Sequence, residues 1–273
     1  GRGMRTPLST ATLVLLVMVL APAGCIRSAK TPEGAAASSY DPQPYADVLA
    51  AAVRGDAVDY AAVRAHEAEL MRYLAMVDKA GPRSQPELFP TRNDRTAFYL
   101  NAYNATVLRK WLDYGAGTDK PRRDTVDSIW FAIDLWPLDG WPTSLRDMER
   151  DHLIDNQGDA RAAFALARGR RSDPPLRAEP YAGSKLDEQL NDQVRRFLAS
   201  DDWRLVDGTL QLPEGFAPWE KSLQSLGGWA GVFERYLPEN HPRRRDAIRA
   251  AVAGRISYRD ADGRINAAPP AGS

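Results

Sequence analysis

The spacing of apolar and polar positions predicts a chain built mostly of helices. Across residues 61–79, apolar residues recur three and four positions apart, which is the period of one face of an α-helix. The same period runs through residues 93–115 and 185–199, each opened by a polar residue suited to capping a helix. Shorter helices are predicted at residues 45–54, 144–154 and 243–253.

Strand signals are few and fall late in the chain. Residues 203–212 carry alternating apolar positions around Asp207-Gly208, which is typical of a tight β-hairpin, and a further strand is predicted at residues 256–258. An apolar run at residues 162–167 fits either a helix or a strand and ends in a charged loop. Because strands and helices do not alternate, we predict an α+β fold, a helix-rich single domain with a small antiparallel hairpin or sheet.

The first 39 residues have the character of a targeting region rather than of a folded one. The apolar run at residues 11–21 has the length of a signal-peptide core and is shorter than the roughly 20 residues of a membrane-spanning helix. Cys25 is the single cysteine of the chain and follows this run within Ala23-Gly24-Cys25, which resembles a bacterial lipoprotein box. We therefore interpret residues 1–25 as a lipoprotein-like export signal, with cleavage after Ala23 and simple secretion as the alternative.

This interpretation sets the expected organisation and location. Residues 26–39 are small and polar, as in a disordered tether, a single folded domain is expected at 40–266, and residues 267–273 form a disordered tail. A lipid on Cys25 would hold the domain on the periplasmic side of the bacterial envelope. The alternative without the lipid is a protein secreted to the periplasm.

Charge and composition exclude several classes of function. Lys plus Arg and Asp plus Glu each number 36, so the chain lacks the basic excess of nucleic-acid binders, and we expect no nucleic-acid partner. Three histidines and one N-terminal cysteine cannot build the usual zinc patterns. We therefore expect no metal site and no cofactor.

Two groups of polar residues fall on faces predicted to be buried. Asn101 and Asn104 lie within the apolar arc of the helix at 93–115, where they either orient a reacting group or tie neighbouring backbone, and the second role is favoured. Glu149 and His152 are spaced i, i+3 on the helix at 144–154. They form either an acid–base pair or a half-exposed salt bridge, of which the salt bridge is favoured.

Four stretches of the chain resemble a known family. They read GDAVDYAAV (55–63), AFYLNAYNA (97–105), SLRDMER (144–150) and LDEQLNDQVRRFL (186–198), and their order agrees with that of the domain of unknown function 547 in its bacterial branch. Asn101, Tyr103 and Asn104 match the central signature of the family, where Tyr99 replaces a tryptophan. The resemblance spans about residues 45–266.

The resemblance also indicates what this chain has lost. In the stretch RAAFALARGRRSDPPL (161–176), the family histidine falls at Ala163 and its two cysteines fall at Arg168 and Asp173. Glu149 is retained, but the histidine that follows it in the family falls at Arg150. A thiol with nearby imidazoles would form a nucleophilic site, so these replacements imply a chain without that chemistry, a possible pseudoenzyme.

Two hypotheses follow. The favoured one is a non-catalytic binding or scaffolding module, whose partner is an envelope protein or a small anionic ligand. In it, Arg168 and Arg170 either recognise the anion or plug the old pocket by pairing with Glu149 or Asp173. The other is a residual hydrolase or transferase that uses Glu149, His152 and Ser172. The expected pocket residues are Asn101, Tyr103, Asn104, Glu149, Ala163, Arg168 and Asp173.

Overall fold

The computed structural model describes residues 40–119, 125–126 and 129–269, apart from the side chain of Gln157. The predicted export signal, the predicted lipidation site Cys25 and the predicted tether at 26–39 lie outside the described residues. The predicted tail begins with two residues that are still held in place, because Ala267 pairs with Val58 in a parallel bridge and the amide of Ala268 donates to the Val58 carbonyl at 2.8 Å.

Helices make up most of the described chain, which confirms the helix-rich prediction. The α-helices are α1 Gln43–Ala52, α2 Tyr60–Ala65, α3 Glu67–Lys79, α4 Arg92–Asp113, α5 Trp130–Ile133, α6 Leu145–Asp147, α7 Leu186–Ala199, α8 Glu220–Leu223, α9 Gly228–Tyr236 and α10 Arg244–Val252. A π-helix, Met148–Gln157, continues α6 directly, and 3-10 turns occur at Pro86–Leu88, Ala160–Ala165, Gly183–Lys185, Glu214–Trp219 and Gln224–Leu226. Among the described residues, none of these helices has the length and apolar content needed to cross a bilayer.

The strands form three small sheets, as expected of an α+β fold. The strands are β1 Val53–Arg54, β2 Ala57–Val58, β3 Trp136–Leu138, β4 Trp141–Thr143, β5 Arg204–Val206, β6 Thr209–Pro213 and β7 Ile256–Arg259. The predicted hairpin is β5–β6, and its turn residues Asp207 and Gly208 both have positive φ, as a two-residue hairpin turn requires. The sheet is mixed, because β7 joins β6 in parallel.

The helix predicted at 61–79 is two helices in the structure. The Asp59 carboxylate accepts the Ala62 amide at 3.0 Å and caps α2, and the chain leaves helical geometry at His66, which has φ −107° and ψ 27°. The His66 imidazole turns back to the Ala62 carbonyl at 3.0 Å, so the side chain competes for the end of α2.

The start of α4 differs slightly from the prediction. The cap is Thr91, not Asn93, and it forms a reciprocal capping box with Asp94. α4 is the central element, because an unbroken run from Thr96 to Leu108 is buried and neighbouring segments pack around it. A helix buried on all sides has no solvent face, so its polar side chains must find partners inside the protein.

Candidate functional site

The two asparagines of α4 hydrogen-bond to the backbone of neighbouring segments. Asn104 donates from Nδ2 to the Ala165 carbonyl and accepts the Ala167 amide at Oδ1, both at 3.0 Å. Asn101 makes the same two-way clamp on Tyr181, with both bonds at 2.8 Å. Each buried amide thereby satisfies a loop that has no regular partner, which is the second of the two roles considered above.

The stretch at 161–176 is fixed from its other side by α7. Gln193, which is fully buried, donates from Nε2 to the carbonyls of Phe164 at 3.1 Å and Pro175 at 2.9 Å. The start of the stretch is a 3-10 helix, Ala160–Ala165, so the apolar run is neither α-helix nor strand. Ala163 lies in this turn with a relative exposure of 1%, where it contributes only packing.

Gly169 brings this stretch close to α4. Its φ is +76°, and a Cβ there would lie 2.2 Å from Nε1 of Trp111. The same indole nitrogen donates to the Arg168 carbonyl at 3.1 Å, and the Asn266 amide donates to the Gly169 carbonyl at 3.0 Å. Only glycine fits this close approach, and the fixed backbone directs the Arg168 side chain inward.

Arg168 forms a buried ion pair with Glu149. Its Nη2 donates to Glu149 Oε1 at 2.6 Å, and Nε1 of Trp219 donates to the same oxygen at 2.6 Å. The two charged side chains are only 6% and 11% exposed. Burial alone would lower the pKa of Arg168, but the negative charges of Glu149 and Asp173 outweigh it and raise that pKa above its ordinary value. The guanidinium therefore stays charged.

Arg170 forms a second buried ion pair, with Asp173 three residues further along the chain. The fork is bidentate, with Nε to Oδ2 at 2.8 Å and Nη2 to Oδ1 at 2.9 Å, and both side chains are at most 3% exposed. Glu214 accepts a further bond from Nη1 at 3.1 Å. Arg168 and Asp173, which occupy the positions that the resemblance assigns to thiols, are therefore both locked in ion pairs.

Tyr103 lies beside this charged cluster. Its hydroxyl is buried and has no hydrogen-bond partner among the described residues. Burial raises the pKa of Tyr103, which the guanidinium of Arg168 partly offsets, so the phenol is neutral at physiological pH. Tyr103 thus places an uncharged phenol next to the Arg168–Glu149 pair.

Glu149 and His152 do not come together. Both lie in the π-helix, where each amide bonds five residues back, so residues three apart point in different directions. Glu149 lines one cleft and His152 lines another. The hydroxyl of Ser172, the third residue of the hydrolase hypothesis, accepts the Asp262 amide at 2.9 Å and ties a loop.

The larger cleft, which we call the Glu149 cleft, has a volume of about 830 Å³ and opens between the π-helix and α8. The Glu149 side chain forms part of its floor. The cleft is lined by Arg146, Glu149, Arg150, Ile154, Asp155, Gly158, Pro218, Lys221, Ser222 and Ser225. Three of these side chains are cationic and two are anionic, and the charge of Glu149 is already neutralised by Arg168. Arg150 is in turn bonded to Asp147 and Asp151, so the lining keeps a small cationic excess, which favours an anion.

Sequence reasoning missed the segment opposite the π-helix. Pro218 and Lys221 of this segment line the cleft, while Trp219 bonds to Glu149 and Glu214 to Arg170, and the segment shows no apolar period. The signal that could have located it is the aromatic content of EGFAPW (214–219), because a buried tryptophan needs a partner for its N–H. That partner is Glu149.

Comparison with known proteins finds a family match. The model of the family described as "Protein of unknown function, DUF547" matches residues 88–198. The match includes three of the four resembling stretches and the whole of 161–176, while GDAVDYAAV (55–63) lies outside it. No curated protein and no solved structure matches the chain. Among the residues that the structure describes, no group of three or more His, Cys, Asp or Glu side chains is arranged to hold a metal ion.

Proposed function

We propose that this chain, whose residues 88–198 match the DUF547 family, is a non-catalytic binding module of the bacterial envelope. A lipid on Cys25 would hold it at the membrane on the periplasmic side. Its ligand is a small anion bound in the Glu149 cleft. The observation that carries the proposal is the buried cluster of Arg168, Glu149 and Trp219 beneath that cleft.

The cluster argues against acid–base catalysis by Glu149. A general base must reach the proton of its substrate, but Oε1 of Glu149 already accepts bonds from a permanent cation and from an indole, which leaves Oε2 alone for that role. Removing Arg168 from this pair would leave a buried carboxylate unpaired, which costs about 3–5 kcal/mol. His152 lines a different cleft from Glu149, which argues against joint action on one substrate. The residual hydrolase is therefore the weaker hypothesis.

The anion is assigned to the rim of the cleft rather than to Arg168 and Arg170. Both of those guanidinium groups are buried against carboxylates, which is the plugging alternative of the sequence hypothesis. Arg150 and Lys221 lie instead on exposed helix surface and line the cleft. Arg150 also bonds to Asp147 at 2.7 Å and to Asp151 at 2.6 Å, which fixes its guanidinium at the rim.

Binding can be measured by calorimetry on the purified full chain. The probes are inorganic phosphate and citrate, titrated at low ionic strength because salt screens exposed charges. We expect saturable binding, a loss of about tenfold or more in affinity for the double variant Arg150→Ala with Lys221→Ala, and no change for Arg204→Ala, an exposed arginine on β5. Absence of binding, or equal loss in the control, would overturn the assignment.

Catalysis and anchoring have separate tests. Turnover of a peptide, ester or amide panel by the wild-type chain that disappears in Glu149→Gln would refute the non-catalytic proposal. For the anchor, we expect Cys25→Ala to move the protein from the membrane fraction to the soluble fraction of its own cell. An unchanged distribution would refute lipidation at Cys25 without bearing on ligand binding.

A further inference from the structure

A second cleft lies on the hairpin formed by β3 and β4. It has a volume of about 300 Å³ and is lined by Arg83, Tyr99, Leu138, Asp139, Trp141, Pro142, Thr143 and His152. Trp141 is 60% exposed, although it is one of the largest apolar side chains of the chain. We call this the Trp141 cleft.

The turn that precedes Trp141 is anchored, and Arg83 lies against the indole. The turn residues Asp139 and Gly140 have positive φ, and the Asp139 amide donates to the Val77 carbonyl at 2.8 Å. The Asp139 carboxylate accepts the Arg83 amide at 2.7 Å, and the Arg83 guanidinium carbon lies 4.8 Å from the centre of the Trp141 ring. A rigid aromatic surface loses little conformational entropy when a ligand stacks on it.

The neighbouring wall is also aromatic. The rings of Tyr99 and His152 stack in parallel, with 4.5 Å between centroids and 16° between planes. Burial lowers the pKa of His152, so at neutral pH its ring is uncharged and offers one donor and one acceptor nitrogen. Thr143 adds a hydroxyl at the edge of the cleft.

The charges of this cleft cancel. Its charged side chains are Arg83 and Asp139, one of each sign. The Arg83 guanidinium donates to the Asp139 carbonyl, and the Arg83 amide donates to the Asp139 carboxylate. The lining of the Glu149 cleft, in contrast, holds three cationic and two anionic side chains. A neutral, polar and partly aromatic cleft selects against strongly charged ligands, because they would lose hydration without gaining an opposite charge.

We propose that the Trp141 cleft binds one ring of a neutral carbohydrate. A pyranose has an apolar C–H face and a rim of hydroxyls, and the cleft has an open indole beside the Thr143 hydroxyl and the ring nitrogens of His152. The volume is at the lower end for ligand sites, which suits a single ring. The site is separate from the Glu149 cleft, so it stands or fails independently of the proposed anion binding.

The test titrates the full chain with chitotriose, cellotriose and maltotriose, and follows binding by calorimetry. We expect at least one of them to bind saturably. Trp141→Ala should weaken that binding about tenfold, and Trp141→Phe should retain part of it. Val252→Ala is the matched control, because Val252 is 73% exposed on α10, far in sequence from the cleft. Unchanged thermal unfolding of Trp141→Ala verifies that the fold persists.

Two results would overturn the proposal. One is the absence of binding by all three sugars, or equal binding by wild type and Trp141→Ala. The other is a membrane role for the same indole, in which Trp141→Ala lowers co-sedimentation of the chain with vesicles of phosphatidylethanolamine and phosphatidylglycerol while sugars have no effect.

Discussion

Arg168 donates a 2.6 Å hydrogen bond to Glu149, and both side chains are buried at a contact between the 161–176 stretch and the π-helix. A permanent cation thus sits where the family resemblance assigns a cysteine. Trp219 donates to the same carboxylate oxygen, so three separate segments of the chain meet at one atom. The contact therefore neutralises two buried charges and gives the buried indole N–H of Trp219 its acceptor.

We therefore predict strong coupling between Arg168 and Glu149. Arg168→Met should lower the free energy of unfolding by about 3–5 kcal/mol, because it leaves the Glu149 carboxylate buried without its cation. Adding Glu149→Gln removes the charge but keeps an acceptor for Trp219, so the double variant should be more stable than Arg168→Met alone. Urea unfolding of both singles and the double measures this coupling.

The control for this prediction is an exposed ion pair on the same helix. Arg150 bonds to Asp147 and Asp151 with side chains that are 55%, 38% and 47% exposed, so Arg150→Ala should change stability by less than about 1 kcal/mol. Strictly additive effects at Arg168 and Glu149 would contradict the buried ion pair.

A second prediction concerns the Asn104 clamp. Asn104→Ala leaves the Ala165 carbonyl and the Ala167 amide without their partner in a buried place, which should lower the free energy of unfolding by about 2–4 kcal/mol. Asn93→Ala, on the same helix, removes one exposed 3.3 Å bond and should cost less than about 0.5 kcal/mol. Chemical denaturation of the two variants compares them, and equal effects would contradict the clamp.

Much of this arrangement could be predicted from local patterns. The period of residues 93–115 predicted α4 (Arg92–Asp113) and the burial of Asn101 and Asn104, and Asp207-Gly208 predicted the β5–β6 turn. These features depend on neighbours within a few positions, so the sequence carries them directly. The α+β class followed from the same signals.

The features that the sequence did not predict depend on distant partners. The π-helix has the composition of an ordinary helix, and its wider turn separates Glu149 from His152, which α-helical geometry would have kept on one side. α9 was missed because its start, GGWAGVF (227–233), has three glycines, while Trp229 and Phe233 stabilise it by packing on the core. The parallel pairing of β6 and β7 joins residues that are more than forty positions apart.

A third prediction uses two glycines as a matched pair. Gly169 and Gly55 both have positive φ, at +76° and +63°, so alanine is strained at either by about 1–2 kcal/mol. At Gly169 the added Cβ would also overlap Trp111, whereas at Gly55 nothing lies within 4 Å. Gly169→Ala should therefore be more destabilising than Gly55→Ala by a further 1–3 kcal/mol or so. Similar melting temperatures for the two variants would contradict the close approach.

A fourth prediction concerns the pH dependence of stability. Burial lowers the pKa of His152 below its ordinary 6.5, while the carboxylates of Asp151 and Asp139 partly oppose this and Arg83 adds to it. The unfolded chain then binds more protons than the folded chain as pH falls below about 6.5. The contribution of His152 is thus fully present above that pH and is lost as pH falls through the folded-state pKa.

Replacing this histidine by a side chain that does not titrate isolates the effect. The free energy of unfolding of wild type and His152→Gln is measured in urea between about pH 5 and pH 8. When it is plotted against pH, the two curves should converge toward low pH, because only the wild type loses stability by protonating the buried ring. His241→Gln is the comparison. Partial burial and Arg243 also lower the pKa of His241, but that ring is much less buried than the ring of His152. Its curve should follow that of the wild type more closely. Parallel curves for wild type and His152→Gln would show that His152 titrates normally in the folded protein, and would remove the neutral ring assigned to the Trp141 cleft.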